Sequence, residues 1–159
     1  FLNETPPAYI PTQECFSKLK SMLLPHGMIL MNFYGFLNGE KGRAARSVIK
    51  TFESCGFQIT LLPTPEEEAE RNLIICASIN TPDWSGINYS EPARLTITKE
   101  NIQKFIYPKS SLDMSDAQIL KDDKPQLEKM YRDAATAWRR TQIDLWLKNI
   151  LQTEISLMK

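Results

Sequence analysis

Residues 23–36 read LLPHGMILMNFYGF, and the fold turns on what this stretch becomes. Pro25, His26 and Gly27 break whatever helix precedes them, and Met28 to Met31 run without interruption through apolar side chains. A continuous apolar run bounded by turn residues reads as a strand covered on both faces. The strand is expected over Met28 to Phe33. It closes on an amide, Asn32, and an aromatic pair, Phe33 and Tyr34, before Gly35.

Working outward, Thr12 precedes QECFSKLKSMLL. A threonine hydroxyl can accept an orphan N–H at a helix start, and Glu14 suits the first turn. Phe16, Leu19, Met22 and Leu23 recur at helical spacing up to the Pro25–Gly27 stop. On the other side, glycines 35, 39 and 42 make a loop, and KGRAARSVIKTFESCGF forms a second amphipathic helix. Ala45, Val48, Ile49 and Phe52 line its buried face, with Arg43, Arg46 and Lys50 expected to point away. Gly56 stands where a left-handed C-cap residue is wanted. Phe57, Ile59 and Leu61 alternate with polar neighbours as a strand, and after PTPEEEAER residues Leu73 to Ile79 form another buried strand. A helical crossover makes the first two strands parallel. The third, reached by a loop, is expected antiparallel to its neighbour.

Residues 80–97 carry turn signals at NTPDWSG, Thr98 can cap a short helix KENIQKF, and YPKSSLDMSDAQ reads as a loop with at most one helical turn. Pro125 suits the first turn of a helix. From there Leu127, Met130, Tyr131, Ala134, Trp138, Thr141 and Leu145 recur at spacings of three and four, and Ile143, Trp146, Leu147, Ile150 and Leu151 open a second stripe. Such a helix runs about 30 residues, roughly 45 Å. Its later half is apolar on more than one side and needs a partner. The expected organisation is therefore a sheet-bearing unit over 1–80, an irregular connection over 81–124 and a long helix over 125–159.

The chain has 159 residues, 42% of them hydrophobic, with 19 basic against 19 acidic side chains. That is one domain or a large piece of one, without the global field that favours nucleic acid or an anionic membrane. No apolar run reaches the roughly 20 residues that cross a bilayer, and the start lacks the basic-then-apolar pattern of a signal peptide. Three widely spaced cysteines and one histidine argue against a disulfide framework and against zinc. The thiols read as small buried hydrophobes in a reducing, cytoplasmic setting. The sequence opens on Phe1 rather than Met, as expected of a piece cut from a longer chain.

The order of these elements, with FLNETPPAYIPTQECFSKLKSMLLPHGMILMNFYG at the front, resembles the spermidine synthase-like proteins. These are aminopropyltransferase relatives built on the class I S-adenosylmethionine-dependent methyltransferase fold. Pro7-Ala8, Thr12 and LLPHGMILMN match the family's succession of Pro-Ala pair, threonine-capped helix, Leu-x-Pro-x-Gly turn and strand. KTFESCGFQITLLPT is similar to its helix leading into the next strand, NLIICAS to its final antiparallel strand, and LKDDKPQLEKMY to a segment near the end of many members. The resemblance implies the C-terminal half of a Rossmann-like sheet: two parallel strands, one antiparallel strand, flanking helices and a long C-terminal helix. It also implies what lies elsewhere. The glycine-rich cofactor loop and the catalytic aspartate belong to the first half, so S-adenosylmethionine or its decarboxylated form is expected to bind the parent protein and not this fragment.

Under this resemblance Asn32 ends a strand where open α/β sheets bind ligands, at the position of a substrate-side glutamine. Satisfying a loop backbone group is the other reading. Tyr34 either lines the same crevice or packs. Asn3 and Glu4 fall in the loop that gates the family's active site, where Glu4 would hold an amine's charge and take its proton or simply be solvated. The family's Pro-Thr-Tyr-Pro segment is here Pro63-Thr64-Pro65, without the tyrosine. The acidic run Glu66 to Glu68 reads either as an attractant for a polyamine or as a solvated turn. Asp122 and Asp123 are expected to cap the long helix, Arg132, Arg139 and Arg140 to form a solvated face, and Trp138 and Trp146 to anchor a core or interface.

Two functions from different classes follow. One is a fragment of a transferase moving an aminopropyl or methyl group to a nucleophile, inactive alone and partnered by the missing N-terminal half. The other is a non-catalytic association domain, forming a homodimer through the Met28 to Phe33 strand edge or through the long helix. Neither reading expects nucleic acid or membrane contact by this segment, and neither restricts membrane segments upstream in the parent.

Overall fold

In a computed structural model of the chain, residues 7–84, 102–124 and 126–157 are described, with side chains of the last helix as far as Ile150. The chain is mixed α/β. Helix α1 spans Gln13–Met22 and strand β1 Met28–Tyr34, and a 3-10 turn at Glu40–Gly42 leads into α2, Arg43–Ser54. Strands β2 (Gln58–Pro63) and β3 (Asn72–Ser78) follow, then a short α3 (Ile102–Phe105), a 3-10 turn at Lys109–Ser111 and α4, Leu127–Leu157.

Local chemistry sets the boundaries. The Thr12 hydroxyl oxygen accepts the Cys15 N–H at 3.3 Å and caps α1. Gly56 ends α2 at φ 76°, a left-handed conformation that glycine adopts without a steric penalty. Thr98 and Pro125 lie outside the described residues.

The sheet corrects one expectation. Its order is β1-β3-β2, and both ladders are antiparallel. β3 is antiparallel to its neighbours, as its loop connection implied. β1 and β2 run in the same direction because each opposes β3, yet they share no ladder. A helical crossover fixes the direction of two strands but not their adjacency, and β3 enters between them. Met28 pairs with Ser78 and Tyr34 with Asn72 on one side, Gln58 with Ser78 and Pro63 with Leu73 on the other.

The core lies on one face of this sheet. Phe33, Leu61, Leu73, Ile75 and Ala77 form one buried cluster with Ala45, Val48, Ile49 and Phe52 of α2, and Phe16 of α1 stacks on Phe52 with ring centroids 3.6 Å apart. The other face is thinly covered at β1. Leu30 is 65% exposed and Asn32 is exposed, so among the described residues the strand read as covered on both faces is an edge covered mainly on one. The outer edge of β2 is closed by a bridge in which the Tyr107 N–H donates to the Leu61 carbonyl at 2.9 Å.

The basic residues of α2 do not point away. Arg46 is only 4% exposed, donating to both oxygens of Asp116 at 3.0 and 2.6 Å and to the carbonyls of Leu37 and Gly39. Arg43 donates to the Asp116 carbonyl and Lys50 to the Ala117 carbonyl. One step around the helix, Ser47 and Thr51 hydroxyl oxygens accept the N–H groups of Gln118 and Leu120. The polar stripe of α2 thus supplies the hydrogen bonds that residues 116–120 cannot make by themselves. Asp122 and Asp123, expected as helix caps, sit in a turn closed by the Lys124 N–H to the Lys121 carbonyl. Among the described residues neither carboxylate reaches α4.

Helix α4 matches the expected long helix. Leu127, Tyr131, Ala134 and Ala135 are buried, and Tyr34 stacks between Tyr131 and Trp138 at centroid distances of 5.0 and 4.7 Å. No helix among the described residues is long and apolar enough to cross a membrane. Of the cysteines, all of them free thiols, only Cys76 is fully buried.

Two outcomes follow. Replacing Arg46 by Met leaves the Asp116 carboxylate and two carbonyls without their donor, and urea unfolding should show a loss of about 3 kcal/mol. An effect within error would mean that the 116–120 segment is not held from α2. Burial pushes the Cys76 thiol from 9.0 up to about 11. Its raised folded pKa contributes stability that is present below pH 9 and lost as pH rises toward 11. Native alkylation at mildly alkaline pH should therefore modify Cys55 well before Cys76, read by mass spectrometry of tryptic peptides.

Candidate functional site: the cleft beyond strand β1

Beyond Tyr34 the chain leaves the sheet through a turn that only glycine fits. A Cβ on Gly35 would lie 2.0 Å from Arg71 Cγ and 2.7 Å from the Arg71 carbonyl oxygen. The two residues are stitched together instead: the Gly35 N–H donates to the Arg71 carbonyl at 3.0 Å, and Arg71 Nε donates back to the Gly35 carbonyl at 2.8 Å. This ties the end of β1 to the start of β3. Gly39 follows at φ 59°.

A cleft of about 470 Å³ opens there, lined by Phe36, Asn38, Gly39, Glu40, Lys41, Glu68 and Asp133. Four parts of the chain build it: the loop after β1, the 3-10 turn before α2, the β2–β3 connection and the first turns of α4. Glu68 is the best anchored. Its Oε1 accepts from the Asn38 side-chain amide at 2.8 Å, the Leu37 N–H at 3.3 Å and Arg71 Nη2 at 3.1 Å. Glu40 and Asp133 are exposed carboxylates that line the same cleft. A second recess of about 420 Å³ shares both of them and is lined further by Arg43 of α2 and by Lys129 and Arg132 of α4. Lys41 holds its ammonium 5.4 Å from the Phe36 ring centroid, within the range of a cation–π contact. The cleft combines the carboxylates of Glu40, Glu68 and Asp133 with the ammonium of Lys41, and Glu68 is already paired with Arg71.

The residues singled out from sequence are placed as follows. Asn3 and Glu4 lie outside the described residues. Asn32 is exposed on β1, paired with Ile74, two residues before the strand ends. Tyr34 is 8% exposed and packs within the Tyr131–Trp138 stack. Asn32 and Tyr34 are not among the residues that line the cleft. Of the acidic run only Glu68 lines the cleft, while Glu66 is exposed and has its carboxyl held below the usual range by the Thr64 hydroxyl. Glu40, Phe36 and Asp133 carried no signal in the sequence. Asp133 joins them only because α4 folds back over the β1 end, a long-range contact without a local motif.

The space beside Gly35 is filled by Arg71, and a Cβ on Gly42 would lie 2.3 Å from the Leu37 carbonyl carbon, so both serve close packing of the chain on itself. Among the described residues no group of His, Cys, Asp or Glu could hold a metal ion. In comparison with known proteins, no family model, no curated protein and no solved structure matches the chain.

The turn should be far less tolerant at one glycine than at the other. Gly35→Ala forces Arg71 and its backbone aside and should cost about 2 kcal/mol. At Gly39 no atom lies within 4 Å of a built Cβ, and Gly39→Ala should cost only the left-handed strain of about 1 kcal/mol. Thermal unfolding of the two variants checks the order. Equal losses would mean that the Gly35–Arg71 contact does not set the turn.

Proposed function

We propose that this chain is the C-terminal half of a spermidine synthase-like transferase, and that the cleft beyond β1 receives the amine that accepts the transferred group. The observation that carries it is that Glu40, Glu68 and Asp133, from three separate parts of the chain, line one cleft beyond the end of β1. The antiparallel third strand and the long terminal helix also agree with the resemblance of the sequence to that family.

In this reading each residue has a physical task. An alkyl diamine is cationic at neutral pH, and Glu40 and Asp133, with the Glu68 oxygen that Arg71 does not hold, offset its charge against the neighbouring Lys41 ammonium. Glu68, oriented by Asn38, Leu37 and Arg71, holds one end of the acceptor. The reacting nitrogen must shed a proton as it attacks, and a carboxylate within hydrogen-bond reach takes it. The donor, S-adenosylmethionine or its decarboxylated form, belongs to the parent's first half, so the fragment alone is expected to transfer nothing.

A second reading, a non-catalytic association domain, is favoured by β1 itself. Among the described residues Met28–Tyr34 is a sheet edge, and it carries no charged residue and no proline, the devices that normally discourage strand addition.

Calorimetric titration separates the readings. The parent protein should bind S-adenosylmethionine or its decarboxylated form, and a short alkyl diamine should bind with an affinity that Glu68→Gln lowers about tenfold, the size of one charge-assisted contact. If the parent binds neither donor nor diamine, the transferase reading fails and the association reading stands.

A further inference from the structure

Glu40 and Asp133 line both hollows beside the loop after β1, the cleft of about 470 Å³ and the recess of about 420 Å³. In the recess they share the lining with three cations, Arg43 of α2 and Lys129 and Arg132 of α4. Lys129 and Asp133 stand four residues apart on α4, a spacing at which opposite charges can pair. Yet among the described residues neither carboxylate forms an ion pair with any of the three cations. Arg43 stands apart from the other two because it is half-buried. Its Nε donates to the Asp116 carbonyl at 3.2 Å, while the Asp116 carboxylate is taken by Arg46. The Arg43 guanidinium is therefore held by a neutral acceptor, and among the described residues its Nη groups have no hydrogen-bond partner.

We propose that the recess takes an oxyanion, a carboxylate or a phosphate, carried at the far end of the amine that Glu40 and Asp133 receive. The ligand of this site is then an aminoalkyl acid and not a plain amine. This deepens the amine reading of the cleft and rests on it. A purely cationic ligand beside Glu40 and Asp133 also faces Lys41 in the cleft and Arg43, Lys129 and Arg132 in the recess. Their repulsion offsets what the carboxylates supply. A ligand with an ammonium at one end and an oxyanion at the other meets both signs. The Nη pair of Arg43 offers the planar fork that binds two oxygens of one carboxylate or phosphate, and the Nε contact fixes that fork without neutralising it. Lys129 and Arg132, both exposed, add charge of the same sign to the recess. Its volume of about 420 Å³ lies within the range of small-molecule sites.

Calorimetric titration of the chain with matched probes tests it. Pentylamine presents the ammonium alone, while ω-aminopentanoate and ω-aminopentyl phosphate add the oxyanion. At least one of the two acids should bind about tenfold or more tighter than pentylamine, the size of one charge-assisted contact. Which of them gains tells a carboxylate site from a phosphate site. Arg43→Gln and, separately, Arg132→Gln should each cut the ratio of acid to pentylamine affinity at least threefold. Arg132 is exposed, so its variant keeps the test valid if Arg43→Gln disturbs the segment around Asp116, which circular dichroism reports. Pentylamine binding with neither acid tighter overturns the proposal and leaves the amine reading standing. So does an advantage of the acids that survives both substitutions. No binding by pentylamine or by either acid overturns the amine reading and this proposal together.

Discussion

Strand β3 inserts between β1 and β2, and this order decides where the loops around the cleft can meet. It orients the outer strands alike and puts the start of β3 beside the end of β1, at the Tyr34–Asn72 pair. From that adjacency follow the Gly35–Arg71 stitching and the position of the β2–β3 connection, which brings Glu68 to Asn38 and Leu37. Had β1 and β2 paired directly, Glu68 would stand beside neither. The cleft is a product of strand order before it is a product of side chains.

A second tier of contacts fixes what surrounds that sheet. Helix α2 presents apolar residues to the sheet and a polar stripe to residues 116–120, and Arg46 spans both tasks by holding Asp116 and the carbonyls of the β1–α2 loop. One buried guanidinium therefore couples the cleft's loop to a distant segment of chain. A buried charge of this kind is costly unless every donor finds a partner. Here the acceptors are spread over two segments, so neither is satisfied without the other. The aromatic stack of Tyr34, Tyr131 and Trp138 performs the parallel service for α4, bringing Asp133 over the loop.

Much of this was legible in the sequence because it is local. The Thr12 cap, the left-handed Gly56, the apolar face of α2 and the long final helix each rest on a few neighbouring residues and on helical or strand periodicity. What was not legible is nonlocal. Periodicity marks MILMNFY as a strand but cannot say that it is an edge, and a crossover helix sets direction without setting adjacency. Arg43, Arg46 and Lys50 look like a solvated face in a helical projection, because the segment that uses them lies about 70 residues away. The cleft was half visible. An acidic run was seen, but Asp133 and Glu40 join it only through the folded-back helix and the turn before α2.

The proposed recognition of an amine by the cleft beyond β1 is open to direct measurement. The most direct measurement is a two-dimensional amide spectrum of the isotopically labelled chain titrated with a short alkyl diamine, with the equivalent diol as control. Saturable shifts confined to the Phe36–Lys41 loop and the amides near Glu68 and Asp133 are expected, with none from the diol. Shifts scattered over the acidic surface, or the same loop shifts with the diol, would contradict it.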